Sequence, residues 1–272
     1  MLKSSYSRYD RLYVYNLALA ELPVLTDPDL IGAWVEDDEA VLFFHREKKE
    51  LIDELCLRTG GSLIYEADLD YHDWEAGHAI SAFTAGDLTV APVWDPAPAD
   101  IRLDPSVIFG SGFHPTTRLC LEALLEQFTE PPYPIRSMLD LGSGTGLLAI
   151  TAARKGIETV TAVDHNTLAC KLAAANAERN GVGDQVKVRK LDLRRECPDT
   201  RVDLVVANLY RTLLEGLFQN PDFWHAPRYL ISGFVPAMEP DLLAALPARD
   251  LKFLARRRKE LWCLWLLEAV TN

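Results

Sequence analysis

Three glycines at alternate positions, Gly142, Gly144 and Gly146, follow an apolar run that ends at Leu141, and a helical pattern begins directly after them. Glycine lets the backbone turn tightly and lie against a ligand without an intervening Cβ. Asp164 ends the next apolar run, about 20 residues further on, where a carboxylate accepts hydrogen bonds from ribose hydroxyls. The order of strand, glycine turn, helix, strand and carboxylate therefore predicts a βαβ unit that binds a nucleoside.

Two registers of the glycine motif predict different cofactors. Read from Gly142, the motif is G-x-G-x-G, and Asp140 lies two residues before it, where a carboxylate can receive the α-ammonium group of S-adenosylmethionine. Read from Gly144, it is G-x-G-x-x-A through Gly146 and Ala149, a spacing that suits an NAD-dependent oxidoreductase. A glycine-rich turn without a ligand, or a non-catalytic binding module, also fits the motif alone.

Features outside the motif favour S-adenosylmethionine. Asn208 ends a later apolar run and is followed by Leu209 and Tyr210. An Asn at the carboxyl end of a strand, with an aromatic residue behind it, suits orientation of an acceptor nitrogen beside a bound methyl group. No second mononucleotide-binding half follows to hold a nicotinamide.

The segment 104–117 precedes the glycine motif and reads Asp-Pro-Ser-Val-Ile-Phe-Gly-Ser-Gly-Phe-His-Pro-Thr-Thr. Gly110 and Gly112 predict mobility, Phe109 offers apolar cover, and Thr117 presents a hydroxyl at the start of a helix. Such a segment is suited to close over a bound cofactor and exclude water. An interdomain connector that ends in an ordinary helix cap explains the same residues.

The elements that position these residues follow two patterns. Residues 1–85 predict a small α+β domain with an antiparallel sheet. Its three strands are expected at Leu12–Leu19, Ala40–Phe44 and Ser62–Ala67, and its helix at residues 51–56. Residues 86–103 hold three prolines within seven residues, which predicts an extended linker. The segment 104–272 alternates strands with helices and predicts an α/β nucleotide-binding domain.

Seven strands are expected in the second domain, at 137–141, 159–163, 186–191, 202–207, 228–232, 250–256 and 261–268. Helices are expected between most of them, for example at 167–179. The last two strands leave no room for a helix, so they should pair antiparallel at one edge of an otherwise parallel sheet. The predicted fold class is therefore α/β, a Rossmann-like seven-stranded sheet of the methyltransferase kind with a smaller N-terminal α+β domain.

The charge of the chain is unevenly distributed. The net charge is −12, yet residues 1–100 carry 7 Lys and Arg against 20 Asp and Glu, whereas residues 101–272 carry 21 against 20. An acidic N-terminal third repels the phosphates of DNA or RNA and attracts a basic protein, although acidic surfaces also serve solubility. We therefore do not expect DNA as a partner.

The cysteines and the apolar runs restrict the cellular setting. The five cysteines form no C-x-x-C pair, which argues against a zinc site or a disulfide framework and favours a reducing cytoplasm. The first residues lack the apolar core of a signal peptide, and no apolar run approaches the ~20 residues that span a bilayer. We expect no metal and no membrane.

Four segments together resemble the ribosomal protein L11 methyltransferase family. They read Phe-Gly-Ser-Gly-Phe-His-Pro-Thr-Thr from Phe109, Leu-Asp-Leu-Gly-Ser-Gly-Thr-Gly from Leu139, Val-Asp-His-Asn from Val163 and Val-Val-Ala-Asn-Leu from Val205. The resemblance implies an S-adenosylmethionine-dependent protein N-methyltransferase that acts on amino groups of L11 or of another lysine-bearing protein. It also implies cofactor contacts from Thr117, Gly142, Asp164 and Asn208, with Gly144, Phe109 and Gly110 as neighbours.

Methyl transfer suggests catalytic roles for few further residues. Transfer of a methyl group to an amine requires no dedicated general base, so we assign Asn208 to orienting the acceptor amine or the cofactor. His114 is the one candidate base, although a loop histidine more commonly fixes a turn. Trp262 and Trp265 are expected in the core.

Two departures from the family pattern concern the substrate. Residues 8–45 lack a first helix, because Pro23 and Pro28 interrupt the only candidate. The usual Ala-Asn-Ile-Leu is Ala-Asn-Leu-Tyr, which places Tyr210 at the acceptor channel or in the core. Another protein lysine, a small amine and RNA stay open as acceptors; the basic run at 256–259 is either an RNA contact or a charged strand end.

Overall fold

The computed structural model describes residues 9–36, 38–74, 80–128, 134–247 and 250–269. Strands in these residues form three sheets of four, seven and three strands. The glycine turn lies at one end of the seven-stranded sheet, directly after the strand that ends at Leu141. In the described part of the chain, no helix is both long and apolar enough to cross a membrane.

The N-terminal sheet is antiparallel throughout, as the sequence predicts. Its strands lie in the order β2-β3-β1-β4, and its elements are β1 (Arg11–Ala18), β2 (Leu30–Glu36), β3 (Glu39–Phe44), α1 (Lys49–Thr59), β4 (Ser62–Asp70) and a single turn, α2 (Tyr71–Trp74). Residues 19–29 contain no helix, in keeping with the two prolines there. β2 was not predicted from the sequence, although five of its seven residues are apolar, because a glycine stands among them and their order lacks a regular alternation.

The three-stranded sheet consists of β5 (Phe83–Ala85), β6 (Leu88–Pro92) and β7 (Ile101–Leu103). The sequence predicts an extended linker over 86–103, whereas in the structure this segment contains the two strands β6 and β7. Val90, Ile101 and Leu103 are at most 2% exposed and belong to the core of the seven-stranded sheet. The prolines therefore separate two packed strands. The division of the chain into domains at 85 and 104 stays a prediction.

The seven-stranded sheet confirms the predicted α/β Rossmann-like class. Its order is β10-β9-β8-β11-β12-β14-β13, and its strands are β8 (Ser137–Leu141), β9 (Thr159–Asp164), β10 (Val186–Lys190), β11 (Leu204–Asn208), β12 (Arg228–Phe234), β13 (Leu251–Lys259) and β14 (Trp262–Ala269). Only β14 runs antiparallel to its neighbours, β12 and β13, as the missing helix between the last two strands predicts.

Helices cover both faces of this sheet. They are α3 (Pro115–Glu126), α4 (Leu147–Arg154), α5 (Thr167–Arg179), α6 (Arg211–Gln219) and α7 (Glu239–Ala245). Because both faces are covered, the central strands are largely buried; in β11 only the last residue, Asn208, is not fully buried. The partly exposed tip of β11 is therefore a place where a polar side chain can reach a ligand.

The order of the strands determines where that ligand would lie. From β8 the chain proceeds outward to β9 and β10, then returns to the other side of β8 to form β11 and β12. Open parallel sheets bind ligands at such a switch point, outside the carboxyl ends of the strands. Leu141 pairs with Ala207, so the residues that follow them, Gly142 and Asn208, lie side by side.

The N-terminal sheet packs directly on the large sheet's helix α5. Leu12, Val14 and Phe43 share a buried cluster with Leu168 and Leu172 of α5. This interface fixes the N-terminal sheet beside the helix that begins three residues after Asp164.

Candidate nucleotide-binding site

The glycine turn has the backbone geometry that its sequence predicts. Gly142, Gly144 and Gly146 have φ values of +70°, +53° and +84°, a region that residues with a side chain rarely adopt. A Cβ on Gly144 would lie 2.2 Å from the carbonyl oxygen of Phe109, and one on Gly142 would lie 2.5 Å from Cδ2 of Leu209. Glycine is thus required here for both its conformation and its size.

Asp164 is fixed by the turn that it faces. Its Oδ2 accepts a hydrogen bond from the backbone N–H of Gly144 at 3.0 Å, and its Oδ1 accepts one from the N–H of Asn166 at 2.9 Å. A carboxylate has about four acceptor positions, so positions remain for a ligand's hydroxyl groups. Its neighbour Asn166 caps α5 by accepting from the N–H groups of Leu168 and Ala169.

The loop before α3 is bonded to the glycine turn. The carbonyl oxygen of Phe109 accepts from the N–H of Thr145 at 3.0 Å. The carbonyl oxygen of Gly110 accepts from the hydroxyl of the same threonine at 2.7 Å. Gly110 and Gly112 both have a positive φ. In this structure the loop is therefore held against the turn, and its glycines serve a fixed bend where the sequence indicates mobility.

A cleft of about 550 Å³ opens at the carboxyl ends of β8, β9 and β11. Of the eight residues predicted from the sequence to contact the cofactor, Phe109, Gly142, Asp164 and Asn208 line this cleft. The other four do not line it: Gly110 and Gly144 lie in the bonded loop and turn, and Thr117 and Asp140 are buried.

Two of the buried residues carry polar atoms without a partner. Oγ1 of Thr117 and Oδ2 of Asp140 are buried and accept or donate no hydrogen bond among the described residues. Burial raises the pKa of Asp140 to about 7, and the charge of Asp164 adds to the shift. Unsatisfied buried polar atoms are costly, and a native structure that keeps them next to a cleft is consistent with a ligand that pairs with them.

His114 and Trp262 form one wall of the cleft. Nδ1 of His114 accepts a hydrogen bond from the N–H of Thr116 at 3.3 Å and so caps α3. This contact agrees with a histidine that fixes a turn, the alternative to a catalytic base. Its ring contacts those of Phe109 and Trp262, each with centroids 4.9 Å apart. The expectation of a core position is confirmed for Trp265, which is 0% exposed. Trp262 is only partly buried: it packs against the core and also lines the cleft.

Tyr210 also lines the cleft. It precedes α6 at the N-cap position, is 54% exposed and lines the cleft with Leu209 and Leu213. The sequence leaves open whether Tyr210 lies at the acceptor channel or in the core, and its position in the structure agrees with the channel. A large aromatic side chain thus narrows the opening beside Asn208.

Sequence reasoning missed several residues of the site. Asp192 and Arg194 follow β10 and line the cleft, with Oδ1 of Asp192 accepting from Nε of Arg194 at 2.9 Å. That bond is the main reason why the pKa of Asp192 falls to about 2. A polar residue directly after a strand of the sheet was the available signal for Asp192.

Asn176 was also missed. It is 0% exposed, and its side-chain N–H groups donate to the carbonyl oxygens of Asp104 and Thr145 at 2.9 and 3.0 Å. The available signal was its spacing: Asn176 repeats Leu168 and Leu172 at intervals of four on the apolar stripe of α5. An asparagine on such a stripe must find partners inside the protein.

The basic run 256–259 belongs to the edge strand β13, and two of its side chains form hydrogen bonds to α3. Arg257 and Lys259 bond to Glu126 and Glu122 at 2.7 and 2.8 Å. The guanidinium of Arg256 lies over the ring of Phe253. These contacts agree with the prediction that the basic run is a charged strand end, the alternative to an RNA contact. Among the described residues, no three His, Cys, Asp or Glu side chains converge as metal ligands.

Comparisons with known proteins agree on one family. The family model described as ribosomal protein L11 methyltransferase (PrmA) matches residues 27–268. The chain is similar to the ribosomal protein L11 methyltransferase of Brevibacillus brevis, with 32% identity over 260 residues, 88% of this chain and 79% of that protein. It is 37% identical to that of Pelotomaculum thermopropionicum over 182 residues, 64% of this chain and 58% of that protein.

One solved structure has a similar fold. The ribosomal protein L11 methylase from Lactobacillus delbrueckii subsp. bulgaricus superposes with a TM-score of 0.60 at 25% identity, covering 70% of this chain and 98% of that chain. The Pelotomaculum alignment, by contrast, spans less than two thirds of the relative's own length.

Proposed function

The chain belongs to the ribosomal protein L11 methyltransferase family, and from this membership we propose that it is an S-adenosylmethionine-dependent protein N-methyltransferase. The observation that carries the proposal is the cleft at the switch point. There Gly142, Asp164 and Asn208 line one space, and the unpaired polar atoms of Thr117 and Asp140 are buried beside it.

The residues present fit the cofactor. The carboxylate of Asp164 would hold the ribose hydroxyls, since backbone N–H groups fix it and leave acceptor positions open. Asp140 would pair with the α-ammonium group, which favours the ionised form of a carboxyl whose pKa burial has raised. Thr117 would bond to a polar atom of the same ligand. The cofactor, when bound, supplies an activated methyl group.

The acceptor would approach beside Asn208 and Tyr210. A lysine with a pKa of ~10.4 must lose its proton before it can accept a methyl group, which requires about 4.6 kcal/mol at pH 7. An apolar and aromatic channel lowers that pKa, because it disfavours the charged form. We assign the side-chain amide of Asn208 to holding the neutral amine in line with the methyl group, an alignment that lowers the barrier further.

We further propose that the acceptor belongs to a basic protein, ribosomal protein L11 or another protein with exposed lysines. The acidic N-terminal third supports a basic partner. RNA has less support, because three residues of the basic run at 256–259 are engaged by Glu122, Glu126 and Phe253. We expect the reaction to take place in the cytoplasm.

The protein incubated with S-adenosylmethionine labelled in its methyl group and with ribosomal proteins should transfer label to a basic protein of the L11 type. Replacing Asp164 by Ala should weaken cofactor binding by about 1–3 kcal/mol, the cost of buried hydrogen bonds that lose their acceptor. The exposed Asp184→Ala variant is the matched control and should bind like the parent.

Three results would contradict the proposal. Label found only in RNA would assign a different acceptor. Calorimetric titration that detects binding of NAD and none of S-adenosylmethionine would favour the oxidoreductase that the second glycine register allows. Equal cofactor affinity in the Asp164→Ala variant and the parent would mean that the cofactor lies elsewhere.

A further inference from the structure

Two tyrosines of the N-terminal region hydrogen-bond to the loop that leads into the cofactor site. The hydroxyl of Tyr9, just before β1, donates to Oδ1 of Asp104 at 3.0 Å. The hydroxyl of Tyr71, the first residue of α2, donates to the carbonyl oxygen of Ser106. Burial raises the pKa of Tyr9, with the charge of Asp104 adding to the shift, so this phenol stays protonated and remains a donor.

The rings of these tyrosines are fixed by their neighbours. The ring of Tyr9 stacks on His45 with centroids 5.2 Å apart, meets Tyr71 at 5.0 Å and meets the edge of Trp94 at 5.5 Å. Tyr71 is 4% exposed. Because the rings are held, the two hydroxyls point to the loop with little freedom.

The part of the loop that they contact has a strained backbone. Ser106 has a φ of +49°, is 2% exposed and donates its N–H to the carboxylate of Asp104 at 3.1 Å. A residue with a side chain keeps such a conformation only where its surroundings hold it. The contacts on Asp104 and Ser106 come from the two tyrosines and from Asn176.

The same loop is bonded to the glycine turn at its other end. Thr145 bonds to the carbonyl oxygens of Phe109 and Gly110. Asn176 joins the two ends, since its side chain bonds to Asp104 and to the carbonyl oxygen of Thr145. A continuous set of hydrogen bonds therefore runs from the N-terminal sheet to the turn that would contact the cofactor.

We propose that Tyr9 and Tyr71 are positioning residues for the S-adenosylmethionine site, so that the N-terminal sheet completes this site as well as facing a protein substrate. The inference rests on the proposed function for the identity of the cofactor. Its structural part, the ordering of residues 104–112 by the two hydroxyls, does not depend on that identity.

The test replaces Tyr71 by Phe, alone and together with Tyr9→Phe, so that each ring stays and each hydroxyl is lost. Tyr15→Phe is the matched control: Tyr15 is 3% exposed in the same sheet, and its hydroxyl accepts from the N–H of Lys48, away from the loop. Calorimetry measures the affinity for S-adenosylhomocysteine, and amide hydrogen exchange without ligand measures the protection of Ile108 and Thr145.

We expect Tyr71→Phe to weaken S-adenosylhomocysteine binding about three- to tenfold, the loss typical of one hydrogen bond, with a larger loss in the double variant. Exchange at Ile108 and Thr145 should become faster in both variants and stay unchanged in Tyr15→Phe. Steady-state kinetics of the parent and Tyr71→Phe should differ in the KM for the cofactor, with kcat retained at saturation.

Two results would overturn the inference. In one, Tyr71→Phe and the double variant keep the parent's affinity and amide protection. In the other, Tyr15→Phe loses as much as Tyr71→Phe, which would indicate general destabilisation. A parent protein that binds no S-adenosylhomocysteine would refute the proposed function instead, and the exchange measurement would still decide whether the tyrosines order the loop.

Discussion

The N-terminal region and the carboxyl ends of the seven-stranded sheet differ in the hydrogen bonding of several buried side chains. In the N-terminal region the hydroxyls of Tyr9, Tyr15 and Tyr71 all bond to atoms of the protein itself. At the carboxyl ends of the large sheet, Thr117 and Asp140 keep buried atoms without a protein partner.

Unpaired buried atoms occur elsewhere as well, since Oδ1 of Asn16 in β1 and Oε1 of Gln185 have no partner among the described residues. Thr117 and Asp140 stand out because they adjoin a cleft that a ligand can enter, and the comparison therefore supports the binding site only together with that cleft.

The largest expected difference between the two regions concerns their glycines. Gly144→Ala should destabilise the protein by about 3 kcal/mol or more and abolish cofactor binding, because the new Cβ would meet a backbone oxygen in addition to an unfavourable φ. Gly60→Ala at the end of α1, where φ is +73° and nothing lies within 4 Å of the new Cβ, should cost only about 1–2 kcal/mol. Urea denaturation measures the free energy of unfolding of both variants. Equal losses would mean that packing around Gly144 contributes nothing beyond what the φ of an ordinary helix end such as Gly60 requires.

A smaller effect is expected from the pH dependence of the large sheet. The folded pKa of Asp140 lies above its unfolded value of 3.8, so the folded protein binds more protons between about pH 4 and pH 7 and loses stability as the pH rises through that window. Asp140→Asn removes this titration and should be more stable than the parent at pH 8 by about 2–4 kcal/mol, with little difference at pH 4.

Asp192→Asn is the opposite control, because the pKa of Asp192 is lowered by Arg194. This variant should be less stable than the parent at pH 8, since the stabilising charge pair is lost. Denaturation curves at pH 4 and pH 8 decide both signs. If the stability difference between Asp140→Asn and the parent did not grow from pH 4 to pH 8, the raised pKa assigned to the buried carboxyl at position 140 would be wrong.

The smallest effect is expected from the acidic surface of the N-terminal sheet. Replacing Glu66 and Asp70 of β4 by Gln and Asn should weaken binding of a basic protein substrate by about two- to threefold per charge, more at low salt, and leave cofactor affinity unchanged. Glu158→Gln with Asp184→Asn, two exposed acids of the large region, is the matched control. Equal losses in both pairs would mean that net charge, and not the N-terminal surface, attracts the substrate.

Much of the fold could be predicted because it depends on short-range patterns. All seven strands of the large sheet and the helix Thr167–Arg179 follow from apolar runs and helical periodicity, with boundaries within a few residues. The antiparallel edge follows from the missing helix before β14. The small sheet of β5, β6 and β7 could not be predicted in this way, because prolines lie at the end of β6 and between β6 and β7, and each strand has only three to five residues.

The candidate site likewise contains residues that the sequence could predict and residues that it could not. The spacing of Gly142, Gly144 and Asp164 sufficed to place these residues at one turn, since the chain between them forms a single βαβ unit. The cleft position of Trp262 could not be anticipated, because an aromatic residue in a terminal strand fits a core equally well.

By itself, the sequence determined the seven-stranded class, the glycine turn, the carboxylate opposite it and the acidic character of the N-terminal third, since each depends on residue types at short range. The tertiary structure alone decided that the loop 104–112 is hydrogen-bonded to the glycine turn, that Asn176 reaches Asp104 across 72 residues of chain, and that two tyrosines beside the N-terminal sheet bond to the loop that leads into the site. Such contacts depend on how whole elements pack, and no spacing along the chain encodes them.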